Sequence, residues 1–178
     1  MAFQYEAVTI VSNGSNWIVT DYQHPVVSVH YSSNAGHTIG HNADTAMDWE
    51  DLVSATHSGL VSGTGSGPVI VTNTGWKFTS PVDAKWLVSI GADYAGTMAA
   101  GTYAYTSINV SGLGNYIARG VNRVELAGGT GKASVFVSSV VTTTPGQIIE
   151  GVLYQNSGAS KGLDTSPSAN FIIITRIW

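Results

Sequence analysis

The last eight residues of the chain, Phe171-Ile-Ile-Ile-Thr-Arg-Ile-Trp178, constrain its fold more than any other segment. Successive side chains of a β-strand point to opposite faces of a sheet, and here both faces are mainly apolar. A strand of this kind has no face suited to water. We therefore expect one face to enter the core of the chain and the other to contact a partner subunit. Phe171, Ile173 and Ile177 would line one face, and Ile172, Ile174 and Trp178 the other.

The composition agrees with an apolar surface that a partner covers. Only 10% of the residues are charged and 43% are hydrophobic, whereas about 25% of an ordinary globular domain is charged. Excess apolar surface on a water-soluble protein favours subunit contacts. The 178 residues suit one domain with a sizeable core. No apolar run approaches the ~20 residues of a membrane span, and the N-terminus lacks a secretory signal pattern, so we expect no membrane partner.

Charge and cysteine content exclude several classes of function. The net charge is −4, and the lysines and arginines are scattered singly, so the sequence offers no basic patch for nucleic acid. The chain contains no cysteine, which removes disulfides, thiolate nucleophiles and cysteine metal sites together.

Short segments rich in Val, Ile, Thr, Trp and Tyr alternate with Gly, Ser, Asn and Pro clusters, which predicts an all-β antiparallel sandwich of about ten strands. Ser12-Asn-Gly-Ser15 is typical of a hairpin turn, and residues 62–68 predict a loop. Residues 45–52 fit either a strand or one helical turn. The predicted strands are residues 7–11, 16–20, 26–31, 69–72, 76–80, 85–92, 103–110, 116–126, 133–141, 147–155 and 171–178.

Two motifs carry a family resemblance. The first is Gly75-Trp-Lys-Phe-Thr-Ser-Pro81, followed by a strand in which Trp86, Val88 and Ile90 share a face; the second is Pro145-Gly-Gln-Ile-Ile-Glu-Gly-Val-Leu-Tyr-Gln-Asn-Ser-Gly158. In order and spacing they resemble the jelly-roll domain of the tumour-necrosis-factor and complement-head superfamily. The chain departs from that pattern with Ala84 and Trp86 near the expected Gly and Tyr, Gln147 for Asp, and Ile173 or Ile174 near a late Gly.

The resemblance implies a ten-stranded, two-sheet jelly roll that forms a homotrimer, with the terminal strand near the three-fold axis. It covers residues 44–178, and residues 1–43 would be N-terminal strands or an arm that either joins the same domain or reaches a neighbour. The predicted trimer interface consists of Phe171, Ile172, Ile174, Trp178 and Tyr154.

Sequence patterns for catalysis each fail at a required residue, so we predict no catalytic or cofactor-binding residues and no enzyme activity. Gly158-Ala-Ser-Lys-Gly162 matches a nucleophile-elbow string around Ser160, but the triad histidine should follow it, and the last histidine is His57. Residues 126–133 have Leu126 and Ala133 where a phosphate loop needs Gly and Ser or Thr.

Three groups leave binding alternatives open, although we assign no metal ligands and no cofactor from the sequence. His37 and His41 could bind a metal, but hydrogen-bonded histidines are the commoner outcome. The densest acidic group could hold a hard cation or paired carboxylates, or be a solvated loop. The aromatic residues could form a sugar platform or a core. The acidic group is Asp44, Asp48, Glu50 and Asp51, and the aromatic residues are Trp17, Trp49, Trp76, Trp86, Trp178, Tyr103, Tyr105 and Tyr116.

The family resemblance, together with the Gly/Ser/Thr-rich, cysteine-free and lightly charged composition, implies a trimeric bacteriophage virion protein that decorates and stabilises the outer capsid surface. Such a protein would be made in the host cytoplasm and partnered by the major capsid protein. Phe3, Tyr5, Trp17 and Tyr22 are the candidate capsid contacts. The alternative is the receptor-binding tip of a tail fibre or spike, which would bind a carbohydrate or cell surface through its loops. A third hypothesis is a carbohydrate-active jelly-roll enzyme that uses the acidic group.

Overall fold

The computed structural model describes residues 7–23, 26–68, 75–124, 130–166 and 168–177. Most of these residues lie in β-strands, and a single turn of 3-10 helix spans Ser58–Leu60. The described residues include no helix of the length and apolarity needed to cross a bilayer.

The strands follow the order of the predicted segments, with several short additions. The first half of the chain contains β1 (Ala7–Ser12), β2 (Trp17–Gln23), β3 (Ser28–Ser32), β4 (Thr38–Ile39), β5 (Thr45–Ala46), β6 (Asp51–Ala55), β7 (Val61–Ser62) and β8 (Lys77–Thr79). The second half contains β9 (Ala84–Asp93), β10 (Met98–Ala99), β11 (Tyr103–Val110), β12 (Gly114–Arg123), β13 (Thr130–Gly131), β14 (Ser134–Thr143), β15 (Ile148–Gln155), β16 (Lys161–Gly162) and β17 (Phe171–Arg176).

Two main sheets pack face to face, which confirms the antiparallel jelly-roll sandwich. One sheet has the order β12-β11-β15-β8-β7, and β5 also pairs with β15. The other has the order β14-β9-β17-β3-β6. The terminal strand β17 is therefore central in the five-stranded sheet, where it pairs with β3 on one side and β9 on the other.

Alternation along the strands builds the core between the sheets. Trp86, Val88 and Ile90 of β9 are fully buried, while Lys85 and Leu87 face outward. The predicted shared face of these three residues is thus confirmed, because a period of two sends alternate side chains to the same side of a sheet. Trp49 and Trp76 are also fully buried, so these tryptophans and Trp86 belong to the core.

The ambiguous segment 45–52 contains no helix: it holds β5, a connection without regular secondary structure and the start of β6. The short pairs β4 with β16 and β10 with β13 were not predicted, since two-residue strands carry too little alternation to be detected. The predicted strand 69–72 lies outside the described residues.

The N-terminal region divides into two parts. β3 is an inner strand of the five-stranded sheet, so it belongs to the sandwich. β1 and β2 form a separate hairpin around the predicted turn, where Asn13 Oδ1 accepts hydrogen bonds from the N–H groups of Ser15 and Asn16. Every residue of β1 is exposed.

One edge of the sandwich is closed by a backbone contact between the sheets. A Cβ atom on Gly120 of β12 would lie 1.7 Å from the carbonyl oxygen of Phe136 on β14. Asn122 reinforces the contact, since its Nδ2 donates to the carbonyl oxygen of Ser134 at 2.8 Å. The absence of a side chain at Gly120 therefore permits the two edge strands to approach.

We expect Gly120→Ala to lower the free energy of unfolding by at least about 2 kcal/mol, because the methyl group would have to displace a backbone carbonyl. Gly59→Ala is the matched control, since a Cβ there meets no atom within 4 Å. Denaturant unfolding measures both. Equal unfolding midpoints for the two variants would contradict the proposed contact.

Candidate functional site: an apolar sheet face

The outer face of the five-stranded sheet lies on the surface of the chain and carries several large apolar side chains among serine and threonine residues. We call it the apolar face and define it by Leu87, Phe136, Val140, Phe171 and Ile173. Phe136 is 58% exposed and Val140 is 49% exposed. Since a soluble monomer rarely exposes a contiguous patch of large apolar side chains, this face has the character of a binding surface.

Strand register places these side chains in rows across the sheet. Phe136 and Phe171 both pair with Gly91, which stands between them on β9. A Cβ on Gly91 would lie 2.6 Å from Cε1 of Phe171, so the ring of Phe171 lies over the glycine. The ring centroids of Phe136 and Phe171 are 6.4 Å apart. The two rings thus form one apolar ridge that crosses three strands.

Hydroxyl groups on the same face bond to each other. Ser89 Oγ lies 2.8 Å from Ser138 Oγ, and Ser28 Oγ lies 3.2 Å from Thr175 Oγ1. Because these polar atoms already have partners within the sheet, a second protein surface could cover them at little cost in lost hydrogen bonds.

Beside the phenylalanine ridge, the apolar face contains a depression of about 430 Å³. A second depression of about 240 Å³ lies on the Phe136 side of the ridge. A ridge between two depressions gives the face a shape that another protein surface can complement. The larger depression is lined by His30, Ser32, Val53, Ser168, Phe171 and Ile173.

His30 is the titratable residue of this depression. Its ring meets Phe171 edge to face, with centroids 6.4 Å apart and an interplanar angle of 84°. In the strand register it stands between Ile173 of β17 and Ser54 of β6. Burial lowers the pKa of His30 below its usual 6.5, so the surroundings favour the neutral imidazole.

The structure corrects part of the predicted trimer interface. Ile172 and Ile174 are completely buried in the chain's own core, so they have no surface to give to another subunit. Tyr154 lies on β15 in the other sheet, on a different face from β17, and its place in the trimer interface stays a prediction. Phe171 does lie on the apolar face, and Trp178 is outside the described residues. The outward positions of β17 are therefore the odd-numbered ones, Phe171 and Ile173.

Tyr154 belongs to a cluster of tyrosines on the outer side of the six-stranded sheet. Its ring stacks on Tyr105 at 4.6 Å and on Tyr103 at 5.5 Å between centroids. The hydroxyls of Tyr105 and Tyr116 both donate to the carboxylate of Asp44. Burial and the hydrogen bond to Asp44 raise the pKa of Tyr105, so its phenol stays protonated.

The tyrosine cluster contains Tyr103, Tyr105 and Tyr116, which were predicted either as part of a sugar platform or as core. Tyr105 and Tyr103 stack against Tyr154, and the Arg119 guanidinium lies over Tyr105 and Tyr116, 4.4 Å and 4.2 Å from their ring centroids. A sugar stacks on a free ring face, and each of these rings already has a face against another tyrosine ring or Arg119. The arrangement instead ties Asp44, in the connection before β5, to the sheet.

The remaining histidines and acids separate into different environments. His41 Nδ1 accepts the N–H of Gly158, whereas His37 Nε2 lies 2.9 Å from Glu50 Oε2. The two histidines predicted as a possible metal-binding pair thus have different hydrogen-bond partners. Asp48 is buried beside Glu50 and His37, and Asp51 lies in β6. The buried position of Asp48 was not predicted by the solvated-loop interpretation.

Of the predicted capsid contacts, Trp17 is described and is 73% exposed at the start of β2. Phe3, Tyr5 and the side chain of Tyr22 lie outside the described residues. Other large apolar residues of the hairpin are exposed as well, namely Val8, Ile10, Val11, Ile18 and Val19. The hairpin is therefore a second apolar surface, separate from the apolar face of the sandwich.

Comparison with solved structures identifies the class of fold. The chain is similar to Eiger TNF from S. frugiperda, with a TM-score of 0.58 and 13% identity over 87% of this chain and 94% of that chain. It is also similar to murine APRIL at pH 8.5, with a TM-score of 0.58 and 12% identity, and at pH 5.0, with 0.59 and 13%. Each APRIL match covers 86% of this chain and 100% of that chain.

No protein-family model matches the sequence, and a search of curated proteins finds no relative. The likeness to solved structures nevertheless confirms the resemblance drawn from the two sequence motifs, so the chain has a tumour-necrosis-factor-like jelly-roll fold.

We expect stability to fall as the pH drops below about 6.5, because the unfolded chain then binds a proton at His30 more readily than the folded chain does. Above that pH both states are neutral and the contribution is complete. His30→Gln should reduce the loss of thermal midpoint between pH 7.5 and pH 5. Equal pH profiles for the wild type and His30→Gln would contradict the assignment.

Proposed function

We propose that this chain is a trimeric structural protein of a bacteriophage particle, bound to the outer surface of the capsid, and that it acts by binding rather than catalysis. The observation that carries the proposal is the apolar face, which runs across β14, β9 and β17 with Phe136, Leu87 and Ile173 among its outward side chains.

Association through this face is favourable on simple energetic grounds. Burying one exposed Phe, Leu, Ile or Val side chain contributes about 1.5–3 kcal/mol. Several such side chains lie side by side, and their neighbouring hydroxyls are already paired. The trimeric state is the arrangement that the sequence resemblance implies for a sandwich with this terminal strand.

The hairpin of β1 and β2 supports docking on a larger assembly. An isolated two-stranded hairpin is only marginally stable in water, and three or more strands or a packed face are normally needed. Trp17 and its apolar neighbours are exposed on this hairpin. We propose that the capsid surface covers them, so that the hairpin gains its stability from the particle.

Stabilisation of the particle then follows from mass action. A protein that binds the assembled shell and not its separated parts stabilises the shell by its binding free energy. The absence of cysteine and the low charge are the compositional features that favour a phage protein. Three copies on one trimer present three hairpins to the shell, which raises the avidity of binding.

Val140→Asp should dissociate the trimer, because a carboxylate buried without a partner costs about 3–5 kcal/mol, which weakens association more than 100-fold. Val121→Asp is the matched control, since Val121 is an exposed valine of β12 in the other sheet. Size-exclusion chromatography with light scattering should give three times the 18.6 kDa chain mass for the wild type and the control.

A monomeric wild type at micromolar concentration would overturn the proposed assembly. Dissociation by both aspartate variants would locate the interface elsewhere than on the apolar face.

Trp17→Ser should reduce binding to empty capsids at least tenfold while the trimer persists, because Trp17 is the most exposed of the large apolar side chains described in the hairpin. Leu113→Ser, in an exposed loop of the sandwich, is the control and should bind normally. Co-sedimentation with capsids measures both. Binding of the wild type to host cells or glycans, with none to capsids, would favour the receptor-binding alternative.

A further inference from the structure

We propose that His37, Asp48 and Glu50 form a binding site for one divalent transition-metal ion, for which Zn²⁺ is the best match. One imidazole nitrogen and two carboxylate oxygens from these residues all lie within 4.8 Å of one another. The proposal is independent of the apolar face and of the capsid function.

Two separate parts of the chain bring these residues together. His37 stands directly before β4, and Asp48 and Glu50 lie in the connection from β5 to β6. Asp48 and Glu50 flank Trp49 in this connection, and a carboxylate oxygen of each lies within 4.8 Å of the other. Trp49 between them is fully buried in the core. The core tryptophan therefore fixes which way the two carboxylates point.

The loop after β7 closes over Asp48. Asp48 Oδ1 accepts the N–H of Gly65 at 3.0 Å, and Oδ2 accepts the N–H of Gly67 at 2.7 Å. Both glycines have φ near +76°, a conformation that side-chain-bearing residues rarely adopt. As a result Asp48 is only 1% exposed.

Glu50 is held as firmly as Asp48. Its Oε1 accepts hydrogen bonds from Ser33 Oγ and from the N–H of Ala35, each at 3.2 Å. Its Oε2 lies 2.9 Å from His37 Nε2. The donor atoms thus stand on side chains that are already oriented, as metal sites require.

The charge balance of the cluster points to a cation. Two carboxylates, one fully buried and one largely buried, lie together, and within the described residues neither forms an ion pair with a lysine or arginine. A buried carboxylate needs a counter-charge, a metal or a proton, because burial penalises the ionised form. A divalent ion would neutralise both carboxylates at once, whereas a charged His37 would neutralise only one.

The donor set indicates the class of ion. Imidazole nitrogen suits Zn²⁺ and its neighbours, whereas Ca²⁺ and Mg²⁺ prefer oxygen alone. Zn²⁺ binds nitrogen and oxygen at about 2.0–2.2 Å. The donor atoms can enclose such an ion if His37 and Glu50 exchange their mutual hydrogen bond for bonds to the metal. A water molecule would complete a four-coordinate site.

The test is to titrate EDTA-treated protein with Zn²⁺. Isothermal titration calorimetry measures the binding, and thermal unfolding measures the stability of the protein with Zn²⁺ added. We expect one ion per chain, and a rise in Tm of about 5–10 °C when free Zn²⁺ exceeds Kd 100-fold. His37→Gln and Glu50→Gln should weaken binding at least tenfold, and His57→Gln should not change it.

A second measurement on the wild type keeps the proposal falsifiable if a variant fails to fold. Among the five histidines, the imidazole NMR signals of His37 alone should shift on addition of Zn²⁺. Absence of stoichiometric binding would overturn the proposal, as would unchanged binding by a folded His37→Gln variant or a shift confined to other histidines. Loss of stability in His37→Gln without any response of the wild type to Zn²⁺ would show a purely structural network.

Discussion

Large apolar side chains stand on both faces of the sheet that holds the terminal strand, and the rest of the structure depends on this. Ile172 and Ile174 anchor β17 in the core, where Trp86, Val88 and Ile90 of the neighbouring strand also point inward. Because the side-chain period of a strand is two, burying these residues forces Phe171 and Ile173 outward. The register of β17 therefore determines both which side chains enter the core and which ones face outward toward a partner. A shift by one residue would exchange the two faces, and the glycine that accommodates the ring of Phe171 would no longer stand opposite it.

Long strands were predictable from the sequence because each carries several periods of alternation. The segment 103–110 matches β11 at both ends, and the terminal segment was predicted within two residues of β17. The jelly-roll fold was predicted from the order and spacing of the two sequence motifs, and the likeness to solved structures confirms it. The face of β17 that enters the core was not predictable, since Phe171 and Ile173 on one side are as apolar as Ile172 and Ile174 on the other. Only packing against β9 and β3 distinguishes the two sides.

The candidate sites were harder to predict than the strands, because their residues meet through long-range contacts. The sequence drew attention to His37 and to the acidic group, but it paired His37 with His41, its near neighbour in the chain. The fold instead sets His37 against Glu50, and it sends Asp44 of the same acidic group to the tyrosine cluster. Asp48 was a poor candidate for burial by residue type alone, since aspartate is rarely buried without a partner. Its partners are backbone N–H groups of a glycine-rich loop. Because every residue type except proline carries this group, the sequence does not indicate which of them a side chain will meet.

The backbone contact at Gly120 has a consequence for the behaviour of the protein at high local concentration. Edge strands present unpaired N–H and C=O groups, which makes them templates for adding strands from other molecules. Here the edge strands β12 and β14 lie against each other, and Asn122 occupies the carbonyl oxygen of Ser134. That side of the sandwich is therefore shielded from sheet extension. Many copies crowded together would be steered away from fibre-like growth along this edge and toward contacts made through side chains.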